Sequence, residues 1–134
     1  MKHRVLVVDD EPAIVHAVSR ILRREGMEVA TAGDAVEALA ALDAASAHAV
    51  LLDYHLPGMS GAALGAEIVR RWPALAGRLM FVSGDPGLTP DALPSACRGA
   101  RLIPKPFDLL ELAAEVRALL AMPDVQPTIP GTAP

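Results

Sequence analysis

Short apolar runs alternate with amphipathic stretches along most of the chain. Residues 5–8 and 49–52 are Val, Leu or Ala at every position, a pattern typical of strands that are buried on both faces of a parallel sheet. Three further runs have the length and the aliphatic content of strands. The sequence therefore predicts five strands, at residues 5–8, 27–31, 49–52, 78–82 and 101–103.

Segments with helical spacing of their apolar residues separate these strands. Pro12 is placed to begin the first helix and Gly26 to end it, because proline suits the first helical turn and glycine the position after the last. Asp34 is the predicted N-cap of the second helix. The predicted regular helices span residues 12–25, 35–42, 62–72 and 109–122.

One connection does not follow this rhythm. Residues 85–99 contain three prolines and two glycines, which interrupt helical hydrogen bonding. The sequence predicts that any helix there is short or irregular, with residues 91–97 as the candidate.

Strands that alternate with helices predict right-handed crossover units and an α/β fold. Five strands fit a doubly wound parallel sheet in the order 2-1-3-4-5. In such sheets the ligand site lies at the carboxyl ends of the strands, where the winding reverses. Here that point falls between the first and third strands.

Composition narrows the class of protein. The 134 residues are 52% hydrophobic and 21% charged, which indicates one folded domain, placed at residues 1–122. Residues 123–134 are proline-rich and predict a disordered tail or linker. The single cysteine, Cys97, excludes an intramolecular disulfide and a cysteine-cluster metal site and suggests a reducing compartment.

Charge and hydropathy argue against a membrane or a nucleic acid as the partner of this chain. No apolar run is as long as a membrane span, and the net charge of −4 argues against a dedicated nucleic-acid binder. We therefore expect a cytoplasmic protein with no direct nucleic-acid partner and no membrane partner.

Polar residues follow four of the predicted strands. Asp9, Asp10 and Glu11 end the first, Asp53 the third, Ser83 the fourth, and Lys105 follows the fifth. Three neighbouring carboxylates repel one another unless a cation joins them, and hard oxygen ligands suit Mg²⁺. A carboxylate can attack phosphorus to give an aspartyl phosphate, whose charge an ammonium group and a hydroxyl group can hold.

Each of these residues also has a simpler reading. Asp9 and Asp10 can serve as helix caps, Asp53 and Ser83 as turn residues, and Lys105 as a solvated surface lysine. Only two of the 12 basic residues are lysine, Lys2 and Lys105. Because the sequence uses arginine nearly everywhere else, a compact ammonium group at this strand end argues against an ordinary surface lysine. If the simpler interpretations all held, the placement of these residues at four strand ends would be four separate coincidences. A common site is therefore the favoured interpretation.

Four sequence pieces in the right order carry a family resemblance. They are VLVVDDEP at 5–12, LLDYHLPGMSG at 51–61, FVSG at 81–84 and PKPF at 104–107. The chain resembles the receiver domain of two-component response regulators over about residues 4–121. The resemblance implies the flavodoxin-like (βα)5 receiver fold. For a chain of this length we expect a single domain.

The resemblance also implies a role for each residue. Asp53 matches the phosphoacceptor, and Asp9, Asp10, Asp53 and the backbone carbonyl of His55 match the Mg²⁺ ligands. Ser83 and Lys105 match the residues that hold the phosphoryl group. The implied donor is a sensor histidine kinase or a histidine phosphotransfer protein. Phosphorylation is expected to change the conformation and so signal to an unknown downstream protein. A homodimer is one assembly that we consider, and the only enzymatic activity implied is self-catalysed phosphotransfer with slow self-dephosphorylation.

Two departures and three alternatives accompany the resemblance. Leu102 stands where the family often has an aromatic switch residue, and the region of the family's fourth helix is the Pro- and Gly-rich stretch. One alternative is the excised receiver of a larger regulator or hybrid kinase. The others are an interaction module that is never phosphorylated and an aspartate-nucleophile phosphatase. The phosphatase is disfavoured because His55 stands where such enzymes have a second aspartate.

Overall fold

The computed structural model describes residues 2–97 and 99–123, and its strands and α-helices alternate except between the last two strands. The strands are β1 (Arg4–Val8), β2 (Glu28–Ala32), β3 (Ala49–Asp53), β4 (Leu79–Ser83) and β5 (Arg101–Pro104). The α-helices are α1 (Pro12–Arg24), α2 (Ala35–Ala44), α3 (Gly61–Arg71) and α4 (Leu109–Ala121). The elements begin and end within about two residues of their predicted positions, as is usual for helix and strand boundaries.

The strands form one parallel sheet in the order β2-β1-β3-β4-β5. This confirms the predicted doubly wound fold. Successive side chains of a strand point to opposite faces, and β1 shows the consequence. Leu6 and Val8 pack on one side of the sheet with α2 and α3, whereas Val5 and Val7 pack on the other with α1 and α4.

Both faces of the central strands are therefore covered, which explains why β1, β3 and β4 are apolar at nearly every position. Phe81 is fully buried in the cluster beneath α2 and α3, and Leu112 lies in the cluster beneath α1 and α4. Burying a side chain of this size contributes roughly 1.5–3 kcal/mol relative to leaving it exposed. The same burial holds the carboxyl ends of the strands at one fixed edge.

Side chains close the first turns of three helices. Asp34 accepts a hydrogen bond from the amide of Glu37 (2.8 Å), as the sequence predicted. Ser60 accepts one from Ala63 (3.1 Å) at the start of α3. Asp108 caps α4 by accepting from the amides at positions 110 and 111. Each such cap contributes about 1 kcal/mol.

The described residues of the connection between β4 and β5 contain no α-helix, which agrees with the prediction that any helix there is short or irregular, although residues 91–97 do not form one continuous helix. Two short 3₁₀ turns, Pro90–Ala92 and Ser95–Cys97, take its place. Leu93 between them is extended because the following Pro94 disfavours helical backbone at the residue before it. Leu93 and Cys97 are buried and fix this connection to the core.

Arg78, just before β4, is a buried residue that the sequence pattern did not single out. Its guanidinium group donates to the backbone carbonyls of Leu119 (3.0 Å) and Met122 (2.6 Å). Cations are favoured at helix C-termini, where carbonyl groups lack helical partners. Arg78 thus ties the end of α4 to the start of β4.

Gly61 allows α3 to begin directly against the end of β3. Its amide donates to the carbonyl of Tyr54 (2.7 Å). A Cβ atom at this position would lie 2.3 Å from the carbonyl oxygen of Asp53 and 2.6 Å from the Cα of Tyr54. Both contacts are with backbone, which has no side-chain rotation to relieve them.

In the described part of the chain, no helix is long and apolar enough to cross a membrane. Apart from Pro123, the proline-rich tail predicted at residues 123–134 lies outside the described residues.

We expect Gly61→Ala to destabilise the fold by about 1–3 kcal/mol, because the added methyl group overpacks against backbone. Urea unfolding measures the change. Gly84→Ala is the matched control, since a Cβ there meets only a Lys105 side-chain atom at 4.0 Å. Equal stability of the two variants would contradict the proposed close approach.

Candidate functional site

The carboxyl ends of β1 and β3 bring three carboxylates together. Asp53 is the last residue of β3, and Asp9 and Asp10 directly follow β1. One oxygen from each of the three lies within 4.8 Å of the others. Asp9 and Asp53 are buried, with 4% and 5% of their surfaces exposed, whereas Asp10 is exposed. This is the topological switch point at which the sequence placed the site.

The ammonium group of Lys105 lies among these carboxylates. Its Nζ is 3.1 Å from Asp9 Oδ2, 3.5 Å from Asp53 Oδ2 and 3.4 Å from Glu11 Oε1. Lys105 follows β5, two strands away from β3 in the sheet. A buried carboxylate requires a compensating charge or hydrogen bonds, and Lys105 supplies both to Asp9.

Backbone amides fix the orientation of the two buried carboxylates. The amide of Glu11 donates to Asp9 Oδ1 (2.9 Å), and the amide of His55 donates to Asp53 Oδ1 (3.1 Å). In both cases the donor lies two residues after the aspartate, the arrangement of an Asx turn. The other oxygen of each carboxylate faces Lys105.

Burial raises the pKa of Asp53 above its ordinary value. The hydrogen bond from the His55 amide opposes this, the charge of Asp9 raises the pKa further, and Lys105 lowers it. For Lys105, burial lowers the pKa, but its hydrogen bond to Asp9 and the neighbouring negative charges outweigh burial, and the pKa is raised. The ammonium group is therefore held firmly in its charged form.

Ser83 ends β4 beside this group and is 3% exposed. Its backbone carbonyl accepts from the amide of Lys105 (2.8 Å), which places the two residues on adjacent strand ends. Its hydroxyl accepts from the amide of Asp85 (3.0 Å) and lies 3.2 Å from Nε2 of His55.

The structure thus gathers the carboxylates of Asp9, Asp10 and Asp53 with Lys105, and places Ser83 next to Lys105. The His55 carbonyl stays a predicted ligand, and the roles assigned to all these residues stay predictions. Sequence reasoning placed Glu11 with Asp9 and Asp10 at this edge of the sheet but assigned it no role and did not predict its contact with Lys105. It also left open whether the His55 side chain faces the site, and the contact with Ser83 shows that it does.

Comparison with known proteins identifies the family. Residues 5–117 match the family model for the response regulator receiver domain. The chain belongs to this family. The receiver is 35% identical over 128 residues to the DNA-binding response regulator MtrA of Mycolicibacterium smegmatis, covering 95% of this chain and 54% of that protein. It is 38% identical over 119 residues to the transcriptional regulatory protein TcrA of Mycobacterium tuberculosis, covering 87% of this chain and 45% of that protein.

Solved receiver structures share the fold. A CheY-like receiver from Methanospirillum hungatei superposes with a TM-score of 0.81 at 28% identity, covering 90% of this chain and 94% of that one. The response regulator TrrA of Thermotoga maritima, in complex with Mg²⁺ and BeF, gives 0.76 at 31% identity, with 89% and 99% covered. This receiver spans about half the length of the curated relatives it matches.

The position of Lys105 generates a prediction about cation binding. Because its ammonium group bonds to Asp9 and lies 3.5 Å from Asp53, we expect it to compete with a divalent cation for the same oxygens. We expect Lys105→Ala to bind Mg²⁺ about tenfold more tightly, a gain of about 1.4 kcal/mol, which is a fraction of the interaction of two charges at such distances near a protein surface. Isothermal titration calorimetry measures the affinity.

Lys2→Ala is the matched control, because it removes the other lysine without touching the carboxylates. Unchanged or weaker Mg²⁺ binding by Lys105→Ala would show that the ammonium group does not compete for the carboxylate oxygens.

Proposed function

We propose that this receiver accepts a phosphoryl group from a phosphohistidine donor onto Asp53, in a Mg²⁺-dependent reaction, and changes conformation to signal to a partner. The observation that supports this most directly is a buried carboxylate at the switch point of the sheet, close to two further carboxylates and to an ammonium group. Self-dephosphorylation is the only turnover in this proposal.

Asp53 is better suited than Asp9 to be the acceptor. Each of the two carboxylates accepts one hydrogen bond from a backbone amide. They differ in their contact with Lys105, whose Nζ lies 3.1 Å from Asp9 and 3.5 Å from Asp53. The raised pKa of Asp53 makes its oxygens more basic and therefore better nucleophiles. Family resemblance assigns the same residue.

The charges of the site fit a divalent cation. Asp9 and Asp53 are buried carboxylates and Asp10 is an exposed one, while one ammonium group lies within 4.0 Å of the buried pair. Hard oxygen donors of this kind suit Mg²⁺. Asp9, Asp10 and Asp53 would hold it, with the carbonyl of His55 added by resemblance. When bound, the cation supplies positive charge to carboxylate and phosphoryl oxygens.

The transfer uses this chain's own groups as follows. An oxygen of Asp53 forms the new bond to phosphorus while the bond between phosphorus and the donor imidazole nitrogen breaks, and that nitrogen keeps the electron pair. Lys105 holds a phosphoryl oxygen by charge and hydrogen bonding, and the Ser83 hydroxyl donates to another. Water later cleaves the acyl phosphate and regenerates the carboxylate and inorganic phosphate.

The proposed donor is a sensor histidine kinase or a histidine phosphotransfer protein, and the proposed location is the cytoplasm. The phosphorylated receiver then shifts an existing equilibrium between two conformations and is recognised by a downstream protein. MtrA is a DNA-binding regulator by name; for the residues described here we propose a protein partner and no direct contact with nucleic acid.

Asp53→Asn tests the acceptor assignment because it removes the nucleophile with little change in shape. With acetyl phosphate and Mg²⁺, we expect one phosphoryl group per chain in the unsubstituted protein and none in the variant, measured by intact mass. Chelation of Mg²⁺ should abolish labelling of the unsubstituted protein as well.

Asp43→Asn, an exposed substitution on α2, serves as the matched control and should be labelled normally. Equal labelling of Asp53→Asn and Asp43→Asn would place the acceptor elsewhere.

A further inference from the structure

The Ser83 hydroxyl has a hydrogen-bond arrangement that constrains its single proton. The residue is 3% exposed, and its Oγ contacts the amide of Asp85 (3.0 Å) and Nε2 of His55 (3.2 Å). A backbone amide can only donate, so it occupies an acceptor site on Oγ. A buried hydroxyl also needs an acceptor for its proton, and of these two partners only His55 Nε2 can accept it.

His55 is held in place at several points even though it is an exposed residue. Its amide donates to Asp53 Oδ1, and its ring packs edge-on against Tyr54 with centroids 5.2 Å apart. Tyr54 in turn packs edge-on against the fully buried Phe81, at 6.0 Å. The imidazole ring is thus fixed to the core through Tyr54.

The backbone of Ser83 is fixed as well. Its carbonyl accepts from the amide of Lys105 at 2.8 Å, and Ser83 is paired with Pro104 in the β4–β5 register. Rotation of the side chain is therefore the simplest way to redirect the hydroxyl proton.

From these contacts we propose that His55 is a positioning residue whose Nε2 accepts a hydrogen bond from the Ser83 hydroxyl in the unphosphorylated protein. The proposal rests on the proposed function, because the phosphoryl group on Asp53 is the acceptor that competes for the same proton. Phosphorylation then exchanges the bond from Ser83 to His55 for a bond from Ser83 to the phosphoryl group. His55 thus stabilises the unphosphorylated arrangement by acting through Ser83, and we call this contact between Nε2 of His55 and the Ser83 hydroxyl the latch.

A latch of this kind makes a prediction about affinity. Removing an interaction that stabilises only the unphosphorylated arrangement shifts the equilibrium toward the other arrangement. A single hydrogen bond of this type corresponds to roughly a 2- to 10-fold change in an equilibrium constant. His55→Ala should therefore bind beryllofluoride with Mg²⁺ about 2- to 10-fold more tightly than the unsubstituted protein.

Three further variants separate the latch from other effects of the ring. His55→Phe retains a ring beside Tyr54 without Nε2 and should show the same gain, so loss of packing cannot explain it. In a Ser83→Ala background, His55→Ala should have no effect, because the hydroxyl is absent. His16→Ala, an exposed histidine on α1, should bind as the unsubstituted protein does.

Nitrogen NMR of the histidine rings gives a second measurement that needs no phosphoryl analogue. We expect Nε2 of His55 to be unprotonated in the neutral ring and its signal to shift in Ser83→Ala. A protonated Nε2, unchanged or weaker beryllofluoride binding by His55→Ala, or an equal gain in the Ser83→Ala background would each overturn the latch.

The two proposals fail differently. If the unsubstituted protein binds no beryllofluoride, the proposed function fails and the latch fails with it, even where the NMR signals still report the contact between Ser83 and His55. If the unsubstituted protein binds beryllofluoride and the His55 variants bind equally, only the latch is overturned.

Discussion

Asp9, Asp10 and Asp53 bring three carboxylates to one edge of the sheet, and the repulsion among them is the constraint that the rest of the site has to satisfy. Two of them are buried, where a charge without a partner is costly. The positive charge of Lys105 compensates part of this negative charge through its contacts with Asp9 and Asp53. The remaining negative charge makes the site suited to a divalent cation.

The parallel sheet makes this concentration of charge possible. Asp9 follows β1, Asp53 ends β3 and Lys105 follows β5, and the parallel order places all three strand ends at the same edge. Helices cover both faces of the sheet, so the central strands β1, β3 and β4 are apolar along most of their length and their polar residues lie at or just beyond their ends. Gly61 allows α3 to start in contact with the backbone of Asp53, because a side chain at this position would collide with that backbone.

The sequence predicted the parts of this protein that follow from periodicity and from backbone chemistry. Alternating apolar runs and amphipathic stretches predicted the strand order, and Asp34 was recognised as a cap from its residue type and position. The gathering of Asp9, Asp53 and Lys105 followed from the fold. The roles of these residues as acceptor, cation ligands and phosphoryl ligands came from resemblance and remain proposals.

What escaped prediction depends on side-chain direction or on competition between weak local signals. The buried position of Arg78 depends on where the end of α4 lies, which no local pattern specifies. In residues 85–99 the prolines were visible, but the choice between one irregular helix and two 3₁₀ turns depended on how Leu93 and Cys97 reach the core.

The Ser83 hydroxyl links the site to the connection that contains those turns. The amide of Asp85 donates to that hydroxyl, and the amide of Gly87 donates to the Asp85 carboxylate. Leu102, where the resemblance leads one to expect an aromatic ring, is aliphatic and packs against the core cluster beneath α2 and α3. This chain therefore has no aromatic ring at position 102 whose orientation could change when the Ser83 hydroxyl moves. The contacts of the hydroxyl itself, with His55 and with the amide of Asp85, form a direct connection between the carboxylate edge and the chain that follows β4.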